Sequence, residues 1–192
     1  TLCHMDLHGL HAQNQVGVCR VCLVEVEGSN KLVTSCCTPV TEGMRINTHT
    51  PEAVIARRTT VELLLSNHPF TCLTCDKNRN CDLQKLAADL GIQDDLPYKG
   101  KMGIFHKDTS SKAIKRNPDE CVLCRRCETM CNKVQTCGII SAQGRGFDTI
   151  VAPPFGRDLV DTMCTFCGQC VAVCPTGALT EQNNLREVWD AI

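Results

Sequence analysis

The stretches CVLCRRCETMC, from Cys121 to Cys131, and CTFCGQCVAVCP, from Cys164 to Pro175, write one spacing twice: C-x2-C-x2-C-x3-C. They lie about 40 residues apart and form an internal duplication. Three cysteines spaced two residues apart turn their sulfurs toward one point, while the fourth begins a helix that leads away. Such runs suit a metal and suit distant disulfide pairing poorly. The rest of the chain agrees. It has 17 cysteines in 192 residues, an odd number that would leave a thiol over in any disulfide scheme. No charged-then-apolar secretion signal opens it, so a reducing, cytoplasmic compartment is expected.

The double run resembles that of bacterial two-cluster ferredoxins, in which the fourth Cys of each run ligates the other run's cluster. Cys121, Cys124, Cys127 and Cys174 are therefore assigned to one 4Fe–4S cluster. Cys131, Cys164, Cys167 and Cys170 are assigned to a second. Zinc sites use C-x2-C knuckles rather than this double run. Asn132 follows the first run where Pro175 follows the second. Arg125 and Arg126 lie inside the first run, where positive charge would favour a reduced cluster, although a solvated basic turn reads the same way.

Two further sets lie upstream. His68, Cys72, Cys75 and Cys81 put four candidate ligands within fourteen residues. Three cysteines cannot complete a tetrahedral set, and His68 is the nearest fourth. A Cys3His zinc site fits this spacing too, but the neighbouring double run favours a third 4Fe–4S cluster. Cys3, Cys19, Cys22 and Cys36 resemble the ligands of a 2Fe–2S ferredoxin module. Fifteen residues separate Cys3 from Cys19, against four in the plant-type spacing. Of the adjacent pair Cys36 and Cys37, Cys36 is chosen because the strand alternation ends there. Cys37 and Cys137 are read as ordinary buried thiols. His4, His8, His11, His49 and His106 follow no ligand spacing. No catalytic residue is expected.

The fold class expected is α+β, in several modules. Residues 1–49 read as short strands: Val21 to Glu27 alternates, Gly28-Ser29 turns, Lys31 to Ser35 returns, and Met44 to Ile46 follows. Residues 50–91 carry two helices. Thr50 and Pro51 start the first, with Val54, Ile55, Val61, Leu64 and Leu65 on its apolar side and Pro69 as its stop. Leu83, Leu86, Ala87 and Leu90 mark the second, which ends at Gly91. Residues 92–117 read as a polar linker and 118–182 as the duplicated unit. Residues 183–192 start a helix without a final cap, so both ends look cut from something longer. Only seven residues are aromatic, and 43% are apolar, so each module is expected to be nucleated by its own metal. No apolar stretch is long enough for a membrane span. A formal net charge of −1 provides no basic surface for nucleic acid. The sites themselves would add a formal charge of about −7, so a docking partner should bring basic residues.

Over nearly its whole length the chain resembles the N-terminal cluster-binding region of FeFe-hydrogenases. The resemblance is carried by TLC (from Thr1), CRVCLVEVEG (from Cys19), SNHPFTCLTC (from Ser66), CVLCRRCETMCNKVQT (from Cys121) and CTFCGQCVAVCPTGALTE (from Cys164). It is nearest the large subunit of multimeric NAD(P)-linked hydrogenases, some of which bifurcate electrons. The resemblance implies one 2Fe–2S and three 4Fe–4S clusters, with His68 a ligand. It implies a β-grasp 2Fe–2S module whose opening hairpin lies upstream of Thr1, and a catalytic H-cluster domain after Ile192. The implied partners are a flavin- and NAD(P)-binding subunit, a small 2Fe–2S subunit, and ferredoxin. The matching relay of cytosolic NAD-dependent formate dehydrogenases is the alternative. A structural multi-zinc module and a free-standing polyferredoxin are alternatives of other classes. The large subunit of complex I shares the first two modules and, as a rule, lacks the paired cubanes.

Overall fold

A computed structural model describes residues 1–7, 9, 12–14, 17–93 and 95–192. His8, His11 and Asp94 lie outside the described residues. The architecture mixes short strands with helices.

The N-terminal part begins with a hairpin of β1 (Met5–Leu7) and β2 (Ala12–Asn14). A second sheet has β3 (Leu23–Val26) between β4 (Val33–Thr34) and β5 (Ile46–Asn47), both antiparallel to it. The turn at Gly28, with φ 82°, is closed by Ser29 N–H donating to Val26 O at 2.9 Å. β5 starts two residues later than the sequence suggests. Met44 N–H is taken up by a turn onto Thr41 O, so only Ile46 and Asn47 reach β3 in register.

The first helix, α1 (Pro51–Ser66), starts as its sequence dictates, with the Thr50 hydroxyl accepting from Ala53 N–H at 3.4 Å. Its buried face keeps Val61 and Leu65 of the expected side, with Leu64 packed against them, and adds Ala53. Ala53, Val61 and Leu65 are buried at i, i+8 and i+12, whereas Ile55 is 63% exposed and Val54 lies outside the core. The second helix, α2 (Asp82–Asp89), buries Leu83 and ends at Gly91, whose φ of 62° favours glycine. Leu2, Cys3, Cys19, Val21, Val61, Leu65 and Leu83 share one core with Val122 and Cys124 of the duplicated unit. Full burial of each aliphatic side chain contributes about 1.5–3 kcal/mol.

In the duplicated unit, β6 (Ile114–Arg116) pairs with β9 (Leu179–Glu181), and β7 (Ser141–Gln143) with β8 (Ile150–Ala152). Thus the last residues of the polar stretch 92–117 are a strand that ties the two ends of the unit together. Asp108 explains why so polar a segment is ordered. It is 1% exposed, and its carboxylate accepts from Ser110 N–H and Oγ and from Leu159 N–H. The first run leads into α3 (Arg126–Thr129), which widens into a π-turn at Met130–Val134. The second leads into α4 (Gln169–Ala172). A last helix, α5 (Leu185–Ala191), follows β9. Among the described residues, no helix is long and apolar enough to cross a membrane.

Candidate metal centres

The two runs fold alike because their backbones take left-handed turns at matching places. Leu123 and Phe166 have φ of 54° and 51°, and Arg125 and Gly168 have 63° and 73°. These reversals roll each loop around its sulfurs. Leu123 N–H then donates to Cys121 Sγ, and Phe166 N–H to Cys164 Sγ, both at 3.4 Å. The π-turn and the exit from α4 carry the fourth cysteines elsewhere. Cys121, Cys124 and Cys127 line one cavity together with Cys174. Cys164, Cys167 and Cys170 line another, together with Cys131. The structure thus brings the cysteines together in the crossed sets.

Helix α1, the loop after it and the start of α2 bring His68, Cys72, Cys75 and Cys81 around one cavity. Its far wall comes from the duplicated unit. Glu120 and Gly177 line it, and a Cβ on Gly177 would stand 2.7 Å from Cys75 Sγ and collide with the Glu120 carboxylate. Asp82 N–H donates to Pro175 O at 2.9 Å, and Lys115 Nζ pairs with Asp76 at 2.7 Å, which hold the wall in place. Of the fourth set, Cys22 Sγ lies 3.3 Å from Cys36 Sγ, and the Cys3 and Cys19 thiols hydrogen-bond to each other. Cys37 Sγ is 3.5 Å from Cys36 Sγ and is exposed rather than buried.

Electrostatics test whether anionic clusters suit these cavities. Burial lowers the His68 pKa to about 4, so the ring is neutral near pH 7 and keeps the lone pair a metal needs. Its Nδ1 is buried without a hydrogen-bond partner. Burial, and neighbouring sulfurs, push Cys121 up to about 11 and Cys124 and Cys170 up to about 12. Cys127 is also raised, well above the usual thiol range, by the same causes. Burial, then the Glu120 carboxylate, raises Cys75 to about 11. Burial and the Cys22 and Cys37 sulfurs raise Cys36. Burial would also raise Cys19, but backbone N–H groups of Val21, Cys3 and Leu2 outweigh it, and its pKa is lowered. Sets of thiols that resist ionisation in a common cavity are what a cationic core would convert to thiolates. Arg116 adds a second sign. It is 3% exposed, lines the Cys121 cavity, and leaves Nε and Nη1 without hydrogen-bond partners. A buried guanidinium of this kind suits an anionic occupant. Among the described residues, no three His, Cys, Asp or Glu side chains meet closely enough to hold a single ion; three of the four sets line cavities instead.

Sequence reasoning missed Arg116, Glu120 and the position of Cys137, which lines the Cys131 cavity as a fifth thiol. Arg125 is paired with Glu128 at 2.6 Å, and Arg126 donates to the carbonyls of Thr1 and His4 at 3.0 Å. His106 pairs with Asp158, and His49 with Thr48. His4 is partly buried and lines none of the three cysteine cavities.

Three family models match the chain: a 2Fe-2S iron-sulfur cluster binding domain at residues 10–51, the NADH-ubiquinone oxidoreductase-G iron-sulfur binding region at 57–95, and a 4Fe-4S binding domain at 159–180. The NADP-reducing hydrogenase subunit HndD of Solidesulfovibrio fructosivorans is 52% identical over all of this chain and 33% of that protein. The NADPH-Fe(3+) oxidoreductase subunit alpha of Geobacter sulfurreducens is 36% identical over 85% of this chain and 19% of that protein. The NADH-ubiquinone oxidoreductase 75 kDa subunit of Reclinomonas americana is 36% identical over 86% of this chain and 23% of that protein. Its match of 166 residues is longer than the first two modules and the polar stretch together, so it reaches into the duplicated unit. A solved chain of the NAD+-reducing [NiFe]-hydrogenase superposes with a TM-score of 0.79 at 26% identity, covering 86% of this chain and 70% of that one. The chain spans a third or less of the curated relatives it matches. The chain is thus similar over its whole length to part of a hydrogenase subunit, and it carries matches to 2Fe-2S and 4Fe-4S iron–sulfur binding regions.

Proposed function

We propose that this chain is the electron relay of a hydrogenase large subunit, with one 2Fe–2S and three 4Fe–4S clusters held by the four sets above. The observation that carries the reading is the match between cavity linings and ligand sets. Three cavities are each lined by the four residues expected of one cubane. The modules are then a β-grasp 2Fe–2S unit, a helical His/Cys unit and a two-cluster ferredoxin-like unit. Such clusters, when bound, each take up and give back one electron. The protein's part is to hold ligands, exclude water and set potentials. Electrons would pass between a flavin- and NAD(P)-binding subunit, a small 2Fe–2S subunit or ferredoxin and an H-cluster domain of the same polypeptide, in the cytoplasm. The high identity to a hydrogenase subunit over the whole chain favours this over a formate dehydrogenase relay.

The test is iron analysis and EPR on anaerobically purified protein. About 14 irons per chain are expected; eight or fewer with stoichiometric zinc would sink the reading. His68→Ala should lose one 4Fe–4S cluster and spare the others. His68→Cys should keep it at a lower potential, because a thiolate adds negative charge beside the iron.

A further inference from the structure

Asn14, at the end of β2, is 1% exposed. Its Nδ2 donates to the Cys3 carbonyl at 2.7 Å and to the Cys124 carbonyl at 2.9 Å. Both amide hydrogens are therefore used. Thr129 Oγ1 donates to Asn14 Oδ1 at 2.7 Å. Two carbonyls can only accept, so the NH2 end must face them, and the hydroxyl locks the amide from the other side. A buried amide with every group satisfied is rigid.

Joining the N-terminal segment to the duplicated unit does not by itself require Asn14, since Arg126 already binds the carbonyls of Thr1 and His4. What distinguishes Asn14 is the pair of carbonyls it takes. One belongs to a ligand assigned to the 2Fe–2S set. The other belongs to a ligand of the Cys121, Cys124, Cys127 and Cys174 set. From Cys3 Sγ the route runs through that residue's own bonds, across a single nitrogen, and down the bonds of Cys124 to its Sγ. Two hydrogen bonds are its only non-covalent steps.

We propose that Asn14 is a positioning residue that couples these two sites for electron transfer, fixing the spacing of their ligands and bridging them with one side chain. The inference rests on the cluster assignment made above. The step it serves is a one-electron exchange: one reduced cluster is oxidised as the other is reduced, with no proton or further reactant. Asn14 touches ligand carbonyls rather than sulfurs, so it governs the rate of exchange and leaves midpoint potentials nearly unchanged.

The test uses the cluster-loaded protein. One electron is injected by a photoreduced deazaflavin, and its redistribution between the 2Fe–2S and 4Fe–4S signals is followed by freeze-quench EPR. Asn14→Ala should slow redistribution by about 10–100-fold, the range for loss of an outer-shell partner, with iron content and potentials held. Thr129→Val, which removes the hydroxyl that holds the amide oxygen, should slow it less. Redistribution at the wild-type rate in Asn14→Ala, even with a lowered melting temperature, makes Asn14 a packing residue and overturns the inference. If Asn14→Ala loses the 2Fe–2S cluster outright, a wild-type rate in Thr129→Val overturns it instead. Wild-type protein without a 2Fe–2S signal fails the cluster assignment itself, and this inference with it.

Discussion

The two cysteine loops of the duplicated unit share a spacing and a sequence of backbone reversals, yet they sit in different surroundings. Around the first, Cys124 and Cys127 are buried, and Arg116 supplies a buried positive charge. Around the second, Cys170 is buried but Cys167 is exposed, and a fifth thiol, Cys137, stands in the wall. The repeated loop therefore specifies which cysteines converge. What lies around it specifies depth and charge, the quantities that tune a cluster's potential. Duplication can supply two sites at once and then let each acquire its own properties.

The most severe test of this pairing is to remove a fourth ligand. Cys174→Ala is expected to destroy or strongly perturb the cluster of Cys121, Cys124 and Cys127, with a loss of up to about four irons. The cluster of Cys164, Cys167 and Cys170, whose run Cys174 terminates, should survive. EPR of the reduced protein reads the outcome. Damage confined to the Cys164 cluster would mean each loop keeps its own four ligands, and the crossed arrangement would be wrong. Because metal binding and folding are coupled in small metal-nucleated units, some loss of stability should accompany either result.

Much of this was legible in the sequence because the decisive information is short-range. The spacing within each run fixes a loop, and the start of α1 is written at Thr50 and Pro51. What escaped was long-range. Ile55 reads as part of the same apolar stripe as Val61 and Leu65 but faces solvent, because the contacts of α1 centre on the row of Ala53, Val61 and Leu65. Arg116 lay in a stretch without periodicity, and only its pairing with β9 brings it against the Cys121 cavity. Glu120 and Gly177 close the His68 pocket from more than 40 residues away, and no local pattern announces such a contact. Asn14 has no spacing relative to any cysteine. Its role depends on two carbonyls 121 residues apart.

Exposure gives the next contrast. With Cys167 at the surface, the Cys131, Cys164, Cys167 and Cys170 cluster should bleach before its buried partner when air or a chelator is admitted. Stopped-flow absorbance with parallel EPR would order the two losses, and simultaneous loss would remove depth as the distinguishing factor. A smaller effect is expected at Arg116. Burial lowers its pKa, but a guanidinium stays charged in proteins, and positive charge near an anionic cluster favours the reduced form. Arg116→Met should lower the potential of the Cys121 cluster by an amount on the order of tens of millivolts while leaving the other cubane unchanged. A potential shift shared equally by both would mean that Arg116 acts on the whole unit and not on one cavity.

The smallest expected effect concerns Cys137. Its N–H donates to Cys131 O at 3.0 Å, its thiol donates to Gln135 O at 3.4 Å, and Thr165 Oγ1 lies 3.8 Å away. Those contacts occupy it in the intact protein, so Cys137→Ser should leave iron content and potentials close to wild type. Its place in the cavity wall matters only when the proper ligand is gone. In Cys131→Ala, the Cys137 sulfur is the nearest replacement in sequence, and a small fraction of that cluster should persist. Adding Cys137→Ser to Cys131→Ala should abolish that remainder. The Cys121 cavity is lined by no fifth cysteine among the described residues, so Cys174→Ala should show no such residue of binding. Equal residual iron in Cys131→Ala and the double variant would reduce Cys137 to a filler of the wall and leave depth and charge as the differences between the two loops.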